Sequence, residues 1–573
     1  MHTRQHARIG LCWAASVSLL AAGCAEPSAV VDDVSASSSA EDATSLFVTS
    51  ELPNLDAAMA AASESASRSA VAVAPAVALE LVGIGRVAGN ATDGLVLTPA
   101  TLEDGTPHNQ LGAFGSSIGY TGCGTKYLAA PDRGPADGTT SYLDRFYLFD
   151  IVVQPGAATP VTVALASARL LSNGEGNGFV GLASAFDATS STASLRLDPE
   201  GIRPSGRGTF YASDEYGPFL YEFNARGRRV RSLSIPAKFL IDHPGPTVET
   251  ELPPTNAKGR QPNRGMEGLA TTPVGDKLYG IMQNALIQDG ALDAANKRIG
   301  MNNRILEVDI ARRTTRELVY PLDSAKNGVN ELVAVNDHQF LVVERDGNAG
   351  TAAAFKKIFL IDIAGATDVS GIDALPTTGL PAGVVAVQKA LFLDLLAPEF
   401  ALAGEGFPEK IEGLSFGPDL ADRRRLLLVT SDNDLAATAD SLIYAFAIDP
   451  ALLPGFRRPV IAPGIDVRPG SSVNVIVPRA QSQVPVAILS NGLFDATLVD
   501  PSSVTLAGAS PSMRFGVPLC SREDSNRDGL DDLVCQIPTR RMRINGSTRS
   551  AVLEARTKSG SPVVGQDSVV VLD

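Results

Sequence analysis

Four glutamates recur in turn-like motifs that each precede an apolar strand: Glu200, Glu267, Glu331 and Glu412. Three of them are followed directly by glycine, and successive members are 67, 64 and 81 residues apart. Such intervals are typical of a structural repeat, which places equivalent side chains at equivalent positions. We therefore expect these carboxylates to lie close together in the fold.

Further charged groups stand at the strand ends beside these motifs. The acids are Asp132, Asp214, Glu215, Asp346, Asp432 and Asp434, and the cations are Arg133, Arg264, Arg345 and Lys410. Crowded carboxylates raise one another's pKa unless cations balance them. Two kinds of partner would supply that balance. One is Ca²⁺ or a similar hard cation, and the other is ion pairing with these arginines and lysine.

A site that combined a cation with these basic groups could hold a phosphate ester and activate water. The candidate catalytic residues are Glu200, Asp214, Arg264, Glu267, Arg345, Glu412 and Asp432. In the alternative interpretation, each glutamate accepts backbone N–H bonds and only stabilises its hairpin.

Other hydrolytic chemistries have less support. Gly413–Gly417 matches G-x-S-x-G, but a nucleophile elbow needs a strand-to-helix turn, and Pro418 follows this match directly. The histidines His108, His243 and His338 lie in separate turns, so a His-ligated zinc site is not expected. The sequence contains no P-loop or dinucleotide fingerprint.

A separate candidate metal site lies near the C-terminus. Its spacing, D-x-N-x-D-G-x-x-D, offers Ca²⁺ the side chains of Asp524, Asn526, Asp528 and Asp532 and the carbonyl of Leu530. Cys535 stands where an EF-hand has its last glutamate, so the alternatives are a Ca²⁺ loop of another kind and a plain Asx-rich turn.

Three cysteines follow the N-terminal segment. Cys520 and Cys535 flank the acidic loop, and we expect them to form a disulfide in an exported protein. Cys123 is then left as a free thiol.

Short β-type runs separated by turns extend from residue 79 to 455. About 375 residues divided by a repeat of roughly 65 predicts six blades of a β-propeller, an architecture that leaves only short sheet edges. The fold class is therefore all-β, with a six-bladed β-propeller followed by a small C-terminal β-sandwich over 456–573. The alternative for 79–455 is an irregular pair of β-sandwiches.

Several motifs in this region also resemble one family. Asp198–Ile202, Ser213–Phe219, Asn263–Leu269, Lys410–Leu414 and Ser431–Asp434 occur in the order seen in the bacterial phytase-like esterase family. The resemblance implies hydrolysis of phosphate or carboxylic esters and brings no established catalytic residues with it. The first repeat departs from the pattern, since Ser116-Ser117 replaces the usual glycine-rich turn.

The C-terminal segment resembles a β-sandwich module often appended to secreted bacterial proteins. The residues that carry this resemblance are Gly464–Gly470, Val484–Ser490, Phe494–Thr497 and Val499–Val504. We expect this module to support or present the propeller.

The N-terminus reads as an export signal over residues 1–23. Arg4 and Arg8 precede an apolar stretch too short to span a bilayer, and Leu20–Cys24 resembles a bacterial lipobox. Cys24 would then carry a lipid, and residues 24–78, rich in alanine and serine, would form a disordered tether. The alternative is an ordinary signal peptide in which Cys24 has no role.

The formal net charge of −15 and the lack of basic blocks argue against nucleic acid as a partner. We expect a monomeric, lipid-anchored envelope protein that takes Ca²⁺ and hydrolyses a small-molecule ester at the mouth of the propeller channel. The alternative function is a non-catalytic surface propeller that binds a ligand or a protein.

Overall fold

The computed structural model describes residues 78–572 apart from positions 137, 188, 189, 246 and 481. The predicted signal peptide, Cys24 and all of the tether except Ala78 lie outside the described residues. No helix in the described part of the chain has the length and apolar character needed to cross a bilayer.

Twenty strands form five antiparallel sheets of four strands, which we number as blades 1–5. The outer strand of blade 5 is the first described strand, β1 (Leu79–Val87). Blade 1 contains β2 (Ser117–Tyr120), β3 (Lys126–Ala130), β4 (Arg145–Val153) and β5 (Val161–Leu170). Blade 2 contains β6 (Pro199–Pro204), β7 (Thr209–Asp214), β8 (Leu220–Asn224) and β9 (Arg229–Leu233).

The remaining blades follow in chain order. Blade 3 contains β10 (Met266–Thr271), β11 (Lys277–Met282), β12 (Asn302–Asp309) and β13 (Thr314–Pro321). Blade 4 contains β14 (Gly328–Ala334), β15 (Gln339–Arg345), β16 (Lys356–Asp362) and β17 (Gln388–Asp394). Blade 5 contains β18 (Ile411–Phe416), β19 (Arg425–Ser431), β20 (Ser441–Ile448) and β1.

The five blades close into a ring. The first strand of each blade contacts its neighbours in the cyclic order β2, β6, β10, β14, β18 and back to β2. Hydrophobic clusters fill the space between neighbouring blades; between blades 3 and 4, for example, the rings of Tyr279 and Phe340 lie 4.7 Å apart. The antiparallel pairing of β1 with β20 joins the two ends of the propeller and removes a free edge.

The prediction of six blades is therefore wrong, because the described residues form five. The sequence contains five copies of the repeated motif, and each copy supplies one blade. Dividing the length of the region by the repeat interval treated the residues of long connecting segments as if they formed blade strands. Residues 88–116 and 234–265, for example, contribute no strand to any blade.

The glutamate motifs form the bulged starts of the inner strands. In β6, β10, β14 and β18 the pairing with the next strand shifts register at or beside the motif glutamate. A bulge re-aims the side chains at that point. Glycine follows the glutamate because the inner strands approach closely: a Cβ at Gly268 would lie only 2.7 Å from the Cα of Glu331.

Residues 461–572 form smaller sheets over one shared hydrophobic core. Four strands pair in the order β21 (Ile465–Val467), β23 (Gln483–Ile488), β28 (Asp532–Pro538), β27 (Cys520–Glu523), and three in the order β24 (Thr505–Leu506), β29 (Ser550–Arg556), β30 (Pro562–Ser568). The remaining pairs are β22 (Val475–Ile476) with β31 (Val570–Val571) and β25 (Met513–Arg514) with β26 (Val517–Pro518).

Helical segments are short. The α-helix of the described chain is α1 (Val248–Glu251). The 3₁₀ segments are Phe114–Ser116, Ala183–Ala185, Ala237–Phe239, Ile287–Asp289, Gly350–Ala352, Pro398–Phe400, Pro450–Leu452, Ala496–Leu498, Pro501–Ser503 and Thr539–Arg541.

The C-terminal sheets contact the turns that join the inner strands to the second strands. The Tyr120 hydroxyl donates to Ser559 (3.1 Å), and the amide of Ala462 donates to the carbonyl of Gly206. Cys123 has a free thiol and is buried, as is usual for a cysteine that packs like a small hydrophobic residue. Its thiol donates to the carbonyl of Asp495 (3.4 Å). The opposite ends of the inner strands are left open, and the candidate site lies there.

Candidate functional site

A polar pocket of about 400 Å³ opens at the end of the propeller where the inner strands begin, and we call it the mouth pocket. Its charged lining residues are Asp132, Arg133, Glu200, Glu215, Arg264, Glu267, Arg298, Lys326, Arg345, Glu409, Lys410, Glu412 and Asp434. Every blade contributes to this lining, because inner strands begin, and second strands end, at the same face.

Five of the seven candidate catalytic residues line the mouth pocket: Glu200, Arg264, Glu267, Arg345 and Glu412. Asp432 lies directly behind the lining, where its carboxylate accepts from the Lys410 ammonium at 2.9 Å.

Asp214 has a different position. It does not line the pocket, and its carboxylate accepts the backbone N–H groups of Asp198 (3.1 Å), Tyr216 (3.1 Å) and Gly217 (3.0 Å). These bonds fold the loop that follows β7, so Asp214 serves that loop.

Three carboxylates on one wall form a first acidic group, made of Asp198, Glu200 and Glu215. One oxygen from each lies within 4.8 Å of the others. Oxygens that bind a single Ca²⁺ at about 2.4 Å can be at most about 4.8 Å apart, so this spacing fits a hard cation. Arg133 pairs with Asp198 (2.5 Å) and lies 3.4 Å from Glu215.

Some carboxylate oxygens of this first acidic group remain available to bind a cation or a proton. Glu215 is almost fully buried, and its Oε1 has no hydrogen-bond partner among the described residues. Burial, first, and the charge of Asp198, second, raise the pKa of Glu215. A buried carboxylate oxygen without a partner is costly, which favours either a proton or a cation at this position.

A second acidic group, Asp132, Asp432 and Asp434, meets the same spacing within 4.8 Å. Lys410 pairs with all three and holds part of their charge. Burial raises the pKa of Asp132 to about 7, against the lowering effect of Lys410. This group therefore resembles a lysine-centred ion-pair network more than an open cation site.

Glu200 and Glu267 are both buried carboxyl groups of the pocket lining. Burial raises the pKa of each well above its usual range, and nearby carboxylates raise it further. Glu267 accepts from the Gln283 amide, whereas no described residue donates to the Glu200 side chain. A raised pKa favours the protonated form of a carboxyl group, which suits a general acid.

Arg345 and Glu412 form an ion pair on the opposite wall at 2.5 Å. Asn330 donates to the same Glu412 oxygen at 3.2 Å, and the other oxygen, Oε2, is buried without a partner in the described chain. Glu412 is thus oriented by two donors and retains a free oxygen toward the pocket region.

Glu331, the fourth motif glutamate, lies deeper and does not line the pocket. Its carboxylate pairs with Arg203 at 2.8 Å and accepts the amide of Leu269 at 2.8 Å. Arg203 also donates to the carbonyls of Ile118, Leu332 and Leu414. Together these contacts join all five inner strands across the channel, so here the structural interpretation of the motif applies.

The G-x-S-x-G match is part of inner strand β18. Ser415 is buried, accepts the amide of Tyr120 (3.0 Å) and donates to the carbonyl of Phe416 (3.0 Å). The strand continues by a turn into β19 and not into a helix, so no nucleophile elbow forms.

The acidic loop 524–532 is held by its own hydrogen bonds. Asp524 accepts the amides of Asp528 and Gly529, and Asp528 accepts that of Leu530 (2.9 Å). The side chain of Asn526 donates to Asp528.

Asp532, the last predicted ligand, is fully buried. Its carboxylate accepts from Ser490 and from Ser525, so both of its oxygens already have partners in the protein. Cys520 and Cys535 form the predicted disulfide beside this loop.

Among the charged pocket residues, Arg298, Lys326 and Glu409 were missed from the sequence, and so was Asp198 of the first acidic group. Asp198 stands in the quoted Asp198–Ile202 motif, and its place before the bulged strand was the available signal. Arg298 and Lys326 lie in connecting loops outside the repeat, between β11 and β12 and between β13 and β14. No periodicity could identify them.

Comparisons with known proteins give matches over the propeller region of the chain. Residues 109–435, more than half of the 573, match the model of a family described as phytase-like, esterase-like activity of phytase. An uncharacterized secreted protein of Arthroderma benhamiae is 28% identical over 348 residues, covering 48% of this chain. The chain spans 64% of that relative's length.

Similarity to solved structures is slight. A luciferin-regenerating enzyme has a TM-score of 0.27 at 11% identity, covering 59% of this chain and 92% of its own. The Cps50 (Swd1) β-propeller domain of Myceliophteria thermophila has a TM-score of 0.25 at 13% identity, covering 58% and 83%. Such low scores carry no argument, and the fold rests on the strand pairing described above.

Proposed function

This chain belongs to the phytase-like family described by esterase-like activity of phytase, and from that premise we propose that it is an exported hydrolase of phosphate or carboxylic esters. The reaction would take place in the mouth pocket. The single observation that carries this proposal is the set of buried, incompletely bonded carboxylates that face arginines across one open cavity.

The proposed cation partner is Ca²⁺ or a similar hard cation, held by Asp198, Glu200 and Glu215. The spacing of their oxygens and the unpartnered Oε1 of Glu215 support this choice. When bound, such an ion polarises an ester oxygen and lowers the pKa of a water molecule. Arg133 orients Asp198 through a charge-assisted bond.

Proton transfer is assigned to the Glu200–Glu267 pair. Glu200, ionised when it holds the cation, would take a proton from water through its second carboxylate oxygen, to which no described residue donates. Glu267, with its raised pKa, supplies a proton to the departing alkoxide. The proton taken from water thus replaces the one given to the leaving group, and an alcohol and an acid are released.

The test is a hydrolysis panel with p-nitrophenyl phosphate, phytate and short acyl esters, run with and without Ca²⁺. We expect Ca²⁺-dependent turnover that falls by about 10²–10⁴-fold in Glu200→Gln or Glu267→Gln. The matched control is Glu175→Gln, an exposed glutamate outside the pocket, which should retain the wild-type rate.

Flat activity across the panel, with or without Ca²⁺, would overturn the hydrolase proposal. The propeller would then be a non-catalytic surface domain that binds a ligand or a protein. Equal rates in all three variants would instead place the chemistry outside the mouth pocket.

For the C-terminal segment we propose a small β-sandwich that presents the propeller and binds Ca²⁺ through the loop 524–532. The candidate ligands are Asp524, Asn526, Asp528, Leu530 and Asp532. Because Asp532 already has two partners, Asp524 and Asp528 should dominate. We expect Asp528→Ala to weaken Ca²⁺ binding in a chelator competition and Asp531→Ala in the same loop to leave it unchanged.

Attachment to the cell envelope is proposed through a lipid on Cys24, following cleavage after residue 23. Its support is the lipobox-like sequence and the word "secreted" in the name of the Arthroderma benhamiae relative. We expect the full chain to sediment with membranes and Cys24→Ser to be released in soluble form. Equal fractionation of the two would exclude lipid attachment. We propose a monomer with no nucleic-acid partner.

A further inference from the structure

Six cationic side chains line the mouth pocket, and they divide into two classes. Arg133, Arg345 and Lys410 each pair with carboxylates at distances within 4 Å. Their charge is already balanced inside the protein. The other three, Arg264, Arg298 and Lys326, form no ion pair with any described residue.

One buried amide joins the guanidinium groups of Arg264 and Arg298, and Lys326 is exposed on a loop that the same amide contacts. The Oδ1 atom of Asn284 accepts from Arg264 (3.4 Å) and from Arg298 (3.3 Å), so the two guanidinium groups converge on a single oxygen. Its Nδ2 donates to the carbonyl of Asn327 at 2.7 Å, which positions the loop carrying Lys326. Asn284 is itself 2% exposed.

Bringing like charges together is unfavourable unless a counter-charge joins them. Burial, first, and the neighbouring charges of Arg264 and Arg345 lower the pKa of Arg298 to about 10. No carboxylate acts on it in the opposite direction. Arg298 therefore carries a charge that no described carboxylate balances, whereas Glu215 and Glu267 act on Arg264.

We propose that Arg264, Arg298 and Lys326 form a binding subsite for a dianionic phosphoryl group, organised by Asn284 as a positioning residue. Guanidinium groups bind phosphate oxygens through paired N–H donors, and the lysine adds a point charge. This inference rests on the proposed hydrolase function and deepens it, because it selects phosphate monoesters over neutral carboxylic esters.

The subsite also explains the polarity of the pocket. No ion pair among the described residues joins the acidic group of Asp198, Glu200 and Glu215 to these three cations, although the charges of Glu215 and Arg264 attract each other. A substrate with a phosphoryl group can thus be held by the cations while a carboxyl group of the pocket acts on water. A carboxylic ester would leave the three cations without a partner.

The test uses the full protein and inorganic phosphate as the probe, measured by titration calorimetry at low ionic strength without divalent cations. Arg298→Gln and Lys326→Gln are expected to weaken phosphate binding about ten- to a hundredfold, since each removes one charge-assisted bond. The matched control is Lys297→Gln, an exposed neighbour of Arg298 that does not line the pocket, with unchanged affinity expected. Thermal unfolding of each variant confirms that it is folded.

Each outcome decides between the two proposals. Phosphate binding that falls in Arg298→Gln and Lys326→Gln, without turnover of any ester, supports the subsite and removes the hydrolase. Turnover of acyl esters that is insensitive to both variants, with no phosphate binding, keeps the hydrolase and overturns the subsite. Equal phosphate affinity in all three variants also overturns it.

Discussion

Replacing Arg203 by methionine is expected to destabilise the propeller by about 3–5 kcal/mol, the usual cost of removing one partner from a buried ion pair. Arg203 donates to the carbonyls of Ile118 (2.6 Å), Leu332 (2.9 Å) and Leu414 (3.0 Å) and pairs with Glu331 at 2.8 Å. Methionine fills a similar volume without donating a hydrogen bond. Several carbonyls of different blades would then lose their donor at the same time.

The magnitude follows from burial. The Glu331 side chain is fully buried and that of Arg203 is 6% exposed, so water reaches neither partner easily. One buried group left without a hydrogen bond costs about 1–3 kcal/mol, and Arg203→Met leaves more than one such group. The pair also connects the inner strands of all five blades, so the loss affects closure of the ring.

The pH dependence has a definite sign. Burial raises the pKa of Glu331 to about 8 in the folded state, above its ordinary value of 4.5. The folded protein therefore binds a proton that the unfolded chain releases, and this group makes stability fall as pH rises from about 4.5 to 8. Without Arg203 the pKa rises further, so Arg203→Met should be more destabilising at pH 8 than at pH 5.

The assay is equilibrium urea unfolding above pH 8, where Glu331 is ionised beside Arg203. It is followed by circular dichroism, because the single tryptophan, Trp13, lies outside the described residues. Arg226→Met, an exposed arginine, is the control and should remain within about 0.5 kcal/mol of the wild type. Adding Glu331→Gln to Arg203→Met should recover about 1 kcal/mol or more by removing the uncompensated carboxylate. A loss below about 1 kcal/mol in Arg203→Met, or no recovery in the double variant, would refute the argument.

Three further predictions concern stability and cation binding. Asp214→Asn should lower the unfolding free energy by about 1–3 kcal/mol, because Asp214 serves three backbone amides, and should leave kcat for any ester unchanged; urea unfolding and initial rates check both. Replacing Cys520 and Cys535 by serine should lower the stability of the C-terminal sheets by about 3 kcal/mol, measured by hydrogen exchange across β27 and β28. Ca²⁺ should raise the unfolding midpoint more at pH 8 than at pH 6, since burial raises the pKa of Glu200 and of Glu215, and each must lose its proton before binding a cation; calorimetry at both pH values, with Glu215→Gln as the comparison, would show equal shifts if this is wrong.

Part of the acidic excess of the chain lies in the mouth pocket. In the mouth pocket, Arg345 and Lys410 neutralise part of the carboxylate charge, and the first acidic group keeps unpartnered oxygen capacity. A pocket of both signs, with the paired charges on one set of elements and the unpaired cations on connecting loops, suits a ligand that itself carries separated charge.

Much of the architecture was predictable from the sequence because it follows from local sequence patterns. Alternating apolar runs predicted strands, and the repeated motif predicted a closed ring of sheets. Five motif copies were present, so the blade number itself was readable by counting copies. Dividing length by interval failed because connecting loops consume residues without adding strands.

The roles of individual charged residues were decided only by the tertiary structure. Glu200 and Glu331 occupy equivalent motif positions, yet Glu200 faces the pocket and Glu331 pairs with Arg203 at the channel axis. The same repeat that makes such residues equivalent in sequence cannot state which one meets a buried arginine from another blade. Charge pairing depends on three-dimensional distance and burial, and neither quantity is encoded in the spacing of a single motif. The sequence by itself therefore determined the β-repeat and its acidic ring, whereas packing across the channel separated structural carboxylates from available ones.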